Sequence, residues 1–499
     1  MSEDLRETLG RIIESGYQLS VDGFEYLRAM EAEERRELVG RVLQLAGSSS
    51  LVLNVLDRAF IEKVGEERPM DPLRPKVFTG KGFRSPLASQ YDKDLQVLDK
   101  NEAEPAADLD GFIDYFRSRY RKLETILRRR IDVRDAVSIG STLKMPPRSK
   151  VKVIGLVTNK RSSGSRLFVE LEDDEDSITA MASNDEVVRR GLSLLVDQVI
   201  CVDALKIKQD LLVVNDFIWP DIPSRPPNRS KDPLCGVFLA DVHIGSDHFR
   251  RELFTRFIRW MNRDVGPPAA RDLAGRVKYL VVAGDLVDGI GVYPDQMEEL
   301  EIKDVRKQYE AAYLMLSELP DYVEVIVIPG NHDAVRKSLP QPPIAGEYAE
   351  AFQGDERFHL LDNPSRIQMS GVEAFVCHGK ALDEILASIP GMDFHKPLDG
   401  VELLLRCRHV APTYGASTPI APEKEDRLVV SSVPDIFQMG HIHVHGTSKY
   451  KGTTLIASGS WQGQTPFQKK VDLEPTVGVA PIVDLQTHQV IEYDFKMLG

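Results

Sequence analysis

Five mostly apolar runs in the second half of this chain are each followed by a histidine or an aspartate, and this recurrence limits the available folds more than any other feature. The clearest is Val323-Glu-Val-Ile-Val-Ile328, followed by Pro329-Gly330-Asn331-His332-Asp333. Such a run, closed by a Gly-containing turn, reads as a buried strand that delivers its next residues to the end of a sheet. Alone, Asn-His-Asp is most simply a polar turn with a capping carboxylate. Here it is one of a set. Val237–Ala240 leads to Asp241-Val-His243, Val277–Ala283 to Gly284-Asp285, Val372–Cys377 to His378-Gly379, and Asp435–Met439 to Gly440-His441-Ile-His443. Helical stretches at 254–260 and 308–319 alternate with these runs. The pattern predicts a layered α/β domain with ligands at the carboxyl ends of its strands.

The residue types at those ends indicate a chemistry. Aspartates, an asparagine and histidines without thiolates form an oxygen and nitrogen set suited to Mn²⁺, Zn²⁺ or Fe²⁺ rather than to a Cys-rich structural zinc. The set exceeds the needs of one ion. Two ions about 3.5–4 Å apart, sharing a carboxylate, would use it and would activate water against a phosphoryl centre.

At 499 residues the chain exceeds one hydrophobic core, so several domains are expected. Residues 1–65 read as a helical interaction domain, with Leu5, Leu9, Ile12 and Ile13, and again Leu38, Val39, Val42 and Leu43, at helical spacing. Ser20 is placed to cap a helix. Residues 66–110, with Pro69, Pro72, Pro75, Pro86 and Pro105, read as a flexible linker without secondary structure. Residues 111–228 read as a basic helix followed by five short strands, with a helix between the third and fourth, which is the element order of an OB-fold β-barrel. Residues 229–499 hold the five strand-end motifs.

Net charge is −14, yet 15 Lys/Arg face only Glu124, Asp132 and Asp135 between Arg117 and Arg166. Arg128, Arg129, Arg130, Lys150, Lys160 and Arg161 are therefore the expected phosphate contacts. Stacking platforms are scarce there, limited to Phe168, Phe217 and Trp219. The four cysteines have no CxxC spacing, and a reduced, cytoplasmic setting is expected, with no membrane span and no secretory leader. Cys377 reads as a buried strand residue and His445 as solvent-facing. His248 reads as a surface residue at a helix start, and Asp288 as a support for the Gly-Asp turn.

Asp241-x-His243, Gly284-Asp285, Gly330-Asn331-His332-Asp333, His378-Gly379 and Gly440-His441-x-His443, in this order, resemble the calcineurin-like metallophosphoesterases. The resemblance implies that Asp241, His243 and His443 hold one metal and that Asn331, His378 and His441 hold a second, with Asp285 bridging. It implies further that His332 acts on the leaving oxygen and that Asp333 orients its ring. An OB-fold joined to such a domain, together with Arg406–Gly415, Pro419–Asp426 and Gly459–Gln468, resembles the small subunits of archaeal family D DNA polymerases. That likeness implies a 3′-to-5′ exonuclease acting on single-stranded or mismatched DNA ends with two divalent ions, Mn²⁺ foremost and Zn²⁺, Fe²⁺ or Mg²⁺ as alternatives. The implied partners are a large polymerising subunit, DNA and, through the complex, a sliding clamp. The alternatives are a purely structural small subunit with little activity and a stand-alone phosphodiesterase acting on small phosphate esters.

Overall fold

A computed structural model describes residues 85–99, 109–421 and 423–497, and nearer the N-terminus residues 18–30, 55–56 and a scatter of positions between 5 and 42. The chain divides into two compact units, Met1–Gly80 and Lys81–Gly499. In the first, the Ser20 hydroxyl accepts the Gly23 backbone N–H at 3.2 Å and caps the helix Val21–Ala29. Leu5, Ile12, Leu38, Val39 and Val42 are buried. This unit is not wholly helical as expected, because Gln18–Leu19 and Val55–Leu56 pair as parallel strands. Two-residue strands are too short to carry a period-two signal. Ile13 and Leu43 lie outside the described residues.

The second unit contains two six-stranded sheets and a closed five-stranded barrel. One sheet runs Phe358–Leu360, Glu324–Ile328, Val277–Ala283, Cys235–Leu239, Val479–Asp484, Val490–Asp494, its first four strands parallel. The other runs Gly446–Tyr450, Thr453–Ala457, Ile436–Met439, Val372–Val376, Ser365–Met369, Leu95–Val97. Val277–Ala283 is buried along its whole length. Its Tyr279, Val281 and Ala283 enter a core shared with Ile367, Ala374, Val376, Ile436 and Ile456 of the second sheet. Leu280 and Val282 pack on the opposite side, with Phe254, Phe257 and Tyr309 from the helices Arg251–Met261 and Val305–Ser317. A strand covered on both faces is apolar along most of its length, which is why these runs, apart from Lys278 and Glu324, do not alternate.

The strand Leu95–Val97 lies inside the stretch expected to be an unstructured linker. It is a three-residue edge strand, held at its ends by Ser370 N–H to the Asp94 carbonyl (2.8 Å) and Leu98 N–H to the Arg366 carbonyl (2.9 Å). Pairing to a preformed sheet orders it, a tertiary effect that local composition does not carry.

The barrel runs Lys150–Ser163, Arg166–Glu172, Ser177–Ala182, Leu211–Ile218, Val199–Lys208, with the helix Asp185–Leu192 between its third and fourth strands in sequence. The preceding helix, Leu109–Arg128, buries Tyr115, Arg119, Leu123 and Leu127, which recur every four residues on one face. Among the described residues no helix is long and apolar enough to cross a membrane.

Candidate metal centre

The five strand ends meet at one place. Asp241 N–H donates to the Gly284 carbonyl (3.0 Å) and His243 N–H to the Asp285 carbonyl (3.0 Å), so the first two motifs lie side by side just beyond their parallel strands. Asp241, His243, Asp285, His441 and His443 all have left-handed backbones, with φ between 51° and 71°. Non-glycine residues there cost about 1–3 kcal/mol each and cluster at functional sites. Gly440 permits the close approach that results, since a Cβ on it would lie 2.6 Å from Asp241 Oδ2.

Two groups of possible ligands match the expected sets, Asp241 with His243 and His443, and Asp285 with His378 and His441. Asp285 lies between them, its Oδ2 3.3 Å from His378 Nε2 and 3.8 Å from His243 Nε2. Asn331 Oδ1 is 3.0 Å from His378 Nε2. The seven expected ligands are thus brought together.

Hydrogen bonding fixes what these nitrogens can do. His378 Nδ1 is 3.0 Å from the Ala283 carbonyl, which can only accept, so Nδ1 carries a proton and Nε2 offers a lone pair. That lone pair faces Asn331 Oδ1 and Asp285 Oδ2, both acceptors. His243 Nδ1 likewise donates to Asp288 Oδ1 at 2.9 Å and leaves its Nε2 3.1 Å from His443 Nε2. Asp241 Oδ1 is buried without a hydrogen-bond partner. Neutral His378 Nε2, Asp285 Oδ2 and Asn331 Oδ1 turn lone pairs toward one point. Gln468 donates to His443 Nδ1, so the proton of the neutral ring sits on Nε2, 3.1 Å from His243 Nε2 and 3.4 Å from Asp241 Oδ1, in a position that a bound cation would take over. This oxygen and nitrogen set therefore fits divalent metal ions.

By themselves the carboxylates draw protons onto the histidines, and divalent ions binding there would displace those protons. Burial opposes the charge on Asp285, but His378 and His332 hold its carboxyl well below the usual range. Burial also opposes charge on His378, yet Asp285 lifts it to about 9. His332 goes the other way, pushed down to about 4, chiefly by burial.

His332 borders this centre, its ring edge-on to His243 with centroids 4.7 Å apart. Its backbone N–H donates to Asp285 Oδ1 at 2.7 Å, and its Nδ1 donates to the Asp288 carbonyl at 2.8 Å. Asp333 is therefore not the residue that orients the ring. Its buried carboxylate instead accepts from Gly330 N–H (2.8 Å), Leu286 N–H (3.3 Å) and the Tyr309 hydroxyl (2.9 Å), pinning the turn to its neighbours. A carboxylate following the histidine points back into its own turn, as Asp side chains commonly do.

The expected phosphate contacts fare unevenly. Lys160 donates to the Leu192 and Leu194 carbonyls. Arg128 binds Glu124 and the Ala136 carbonyl, and Arg130 binds Asp132 through two nitrogens. Arg161 covers the Phe168 ring at 4.5 Å, whereas Arg129 and Lys150 are exposed. Phe217 and Trp219 are buried and offer no stacking surface. Arg119 is fully buried against Asp426 (2.7 Å) rather than on the basic face. His445 is not solvent-facing, since Nδ1 donates to the Ala457 carbonyl (3.1 Å) and Nε2 lies 3.2 Å from Glu492. Cys377 is buried as expected.

A family model for the B subunits of DNA polymerases alpha and epsilon matches residues 236–446. Relatives described as DNA polymerase II small subunit include one from Methanothermobacter thermautotrophicus, 32% identical over 98% of this chain and 100% of its own length. Another, from Archaeoglobus fulgidus, is 37% identical over 89% of this chain and 88% of its own. The chain belongs to the DNA polymerase II small-subunit family. It spans 62% and 66% of the length of the family members from Pyrococcus horikoshii and Pyrococcus furiosus, at 37% and 36% identity. A solved structure described as a novel archaeal phosphodiesterase matches 52% of this chain and 99% of that one at 12% identity, with a TM-score of 0.27, too low to bear on the fold.

In this family member, the residues around the ligands were less legible than the ligands themselves. Asp288 holds His243 by its side chain and His332 by its carbonyl, and is itself held by Gln296 and Gln462. Asp383 Oδ2 accepts from His441 Nε2 (3.0 Å) and from Lys380 (2.5 Å). Asn363 Oδ1 accepts His378 N–H at 3.0 Å. The Gln468 amide donates to His443 Nδ1 at 2.9 Å. Asp288 had a signal in the Gly-Asp-Leu-Val-Asp spacing, and Gln468 in the Thr-x-x-Gln capping box. Asp383 and Asn363 had none, because tertiary contact alone brings them to the centre.

Proposed function

We propose that this chain is the 3′-to-5′ exonuclease of a DNA polymerase, removing single-stranded or mismatched 3′ ends beside a large polymerising subunit in a heterodimer. One observation carries the reading. Every position of the phosphoesterase ligand pattern is filled and the seven side chains converge, in a chain whose relatives are described as DNA polymerase small subunits. Loss of ligands is what a purely structural role would allow.

Asp241, His243 and His443 would hold one divalent ion and Asn331, His378 and His441 a second, with Asp285 shared. Mn²⁺ suits this set, with Zn²⁺, Fe²⁺ and Mg²⁺ as alternatives. Such an ion pair neutralises charge on phosphoryl oxygens and makes water a nucleophile near neutral pH. The remaining tasks belong to the protein. His332, tied through its backbone to Asp285 and through Nδ1 to Asp288, is neutral at Nε2, which would take a proton from the attacking water and return it to the departing oxygen. Asp288 and Asp383 keep His243 and His441 in the orientation that the ions require. The barrel and its basic helix would dock the large subunit and contribute exposed Arg129, Lys150 and Arg161 to DNA. A place beside the chromosome follows from this reading.

The test compares the purified chain with Asp285→Ala and His332→Ala on a 3′-mismatched primer with Mn²⁺. Stepwise loss of 3′ nucleotides, abolished by either change, is expected. No metal-dependent release by the wild type, even with its large subunit added, would overturn the proposal. Release from small phosphate esters but not from DNA would replace it with the small-ester phosphodiesterase.

A further inference from the structure

Directly after the second sheet, Trp461 and Gln462 lead past Gly463 into a short helix, Pro466–Lys470. A capping box fixes its start, with Gln468 N–H donating to Thr465 Oγ1 (3.2 Å) and Thr465 N–H to Gln468 Oε1 (3.0 Å). Because Oε1 is taken, the same side chain turns its amide nitrogen to His443 Nδ1. One glutamine thus locks the helix and binds a ligand of the metal centre. The next residue outward is Phe467.

Phe467 is 67% exposed. Among the Phe, Tyr and Trp side chains of the described residues, Tyr414 is the other exposed one, and its ring meets the edges of Phe112 and Phe116. Phe467 has no ring neighbour among the described residues. Lys469 and Lys470 are exposed beside it, and among the described residues neither pairs with a carboxylate. An exposed aromatic ring leaves apolar area in water without compensation. A ring flanked by unpaired lysines matches one class of occupant, in which flat bases alternate with phosphates.

We propose that the helix Pro466–Lys470 is a single-strand platform at the mouth of the metal centre. Phe467 stacks on an unpaired base, and Lys469 and Lys470 meet the backbone phosphates. The inference deepens the proposed function and rests on it for the direction of the strand. Its chemical content, an unpaired polynucleotide rather than a duplex or a small ester, stands apart from cleavage. Phe467 acts by holding substrate, and Gln468 ties the platform to the centre.

The experiment uses the full chain and its variants, with oligothymidylate as the probe. Phe467→Trp adds an exposed indole to a protein whose own Trp219, Trp260 and Trp461 are buried. Its fluorescence should be quenched on adding the oligonucleotide without any metal present. Phe467→Ala should raise KM for a single-stranded substrate about 10-fold, the size expected for one lost base stack. Its kcat should be retained, and so should its hydrolysis of bis(p-nitrophenyl) phosphate. Changing Lys469 and Lys470 to Ala should lower the salt slope of oligonucleotide binding by about 0.7 per lost contact. Quenching without any cleavage by the wild type would keep the platform and overturn the exonuclease reading. Normal cleavage with an unchanged KM in Phe467→Ala and no quenching would overturn the platform and leave the exonuclease standing. Loss of large-subunit association in Phe467→Ala, with oligonucleotide binding intact, would also overturn it, in favour of a protein-docking face.

Discussion

Two buried clusters of aspartate and histidine lie in the same compact unit and differ in how their polar atoms are answered. Around Asp426, Oδ2 accepts from Arg119 Nε (2.7 Å) and His409 Nε2 (2.8 Å), and Oδ1 accepts Leu428 N–H (2.9 Å). His409 Nδ1 in turn accepts Ala411 N–H at 3.1 Å, and Arg119 also donates to the Asp197 and Pro412 carbonyls and the Tyr115 hydroxyl. Donor meets acceptor throughout. Around Asp285 and Asp241, one oxygen of each carboxylate accepts a backbone N–H, but Asp241 Oδ1 has no hydrogen-bond partner, and five backbones sit in a left-handed conformation. Burial is the same in both clusters, so burial does not separate them. Satisfaction does: the first cluster is complete as folded and joins the basic helix to the sheets, whereas the second holds residues that could bind cations.

The sharpest way to break this contrast is to remove a group from each. His332→Ala should reduce 3′-nucleotide release by about 10²- to 10⁴-fold, with an unchanged denaturation midpoint. A large loss of stability instead would mean that the turn is structural. Arg119→Ala should behave oppositely. It leaves Asp426 buried without its cation and should cost about 3–5 kcal/mol, read in urea unfolding, while activity per folded molecule is kept. A change below about 1 kcal/mol would show that the cluster is not held by this pair.

Asp288→Asn and Asp383→Asn sharpen the comparison from the metal side. Each weakens the support of a ligand histidine and should lower Mn²⁺ affinity about 10- to 100-fold, measured by calorimetric titration. Unaltered affinity would remove them from the centre. A further contrast is one of pH. Burial, with Arg119 adding to it, pushes His409 down to about 4 from 6.5. The unfolded chain binds this proton below about pH 6.5 and the folded chain only below about 4, so stability should fall as pH drops through that window, by up to about 1.4 kcal/mol per pH unit. Burial opposes charge on Asp426, but His409 and Arg119 hold it below the ordinary carboxyl range, so the loss continues at lower pH. His409→Gln should remove the part of the slope between about pH 4 and 6.5, and an unchanged profile would contradict the assignment.

The ligands were readable in sequence because each follows a strand run, and parallel strands deliver their carboxyl ends to one edge. The barrel was readable from its period-two runs and the position of its helix. Asp333 was misread because a carboxylate next to a histidine in sequence need not be next to its ring in space. Arg119, Arg128, Arg130 and Lys160 were counted as free charge because sequence does not tell a solvated cation from one bound to carbonyls or carboxylates. Leu95–Val97 escaped notice because only the edge of the second sheet makes it a strand.

The central claim is that the convergence around Asp285 is a two-ion centre. Its most direct measurement is a calorimetric titration of the metal-stripped full chain with Mn²⁺, set beside Asp285→Ala. The account predicts two ions per wild-type chain and weakened binding of both in the variant, since Asp285 is shared. A single ion, or two ions bound equally well without Asp285, would contradict it.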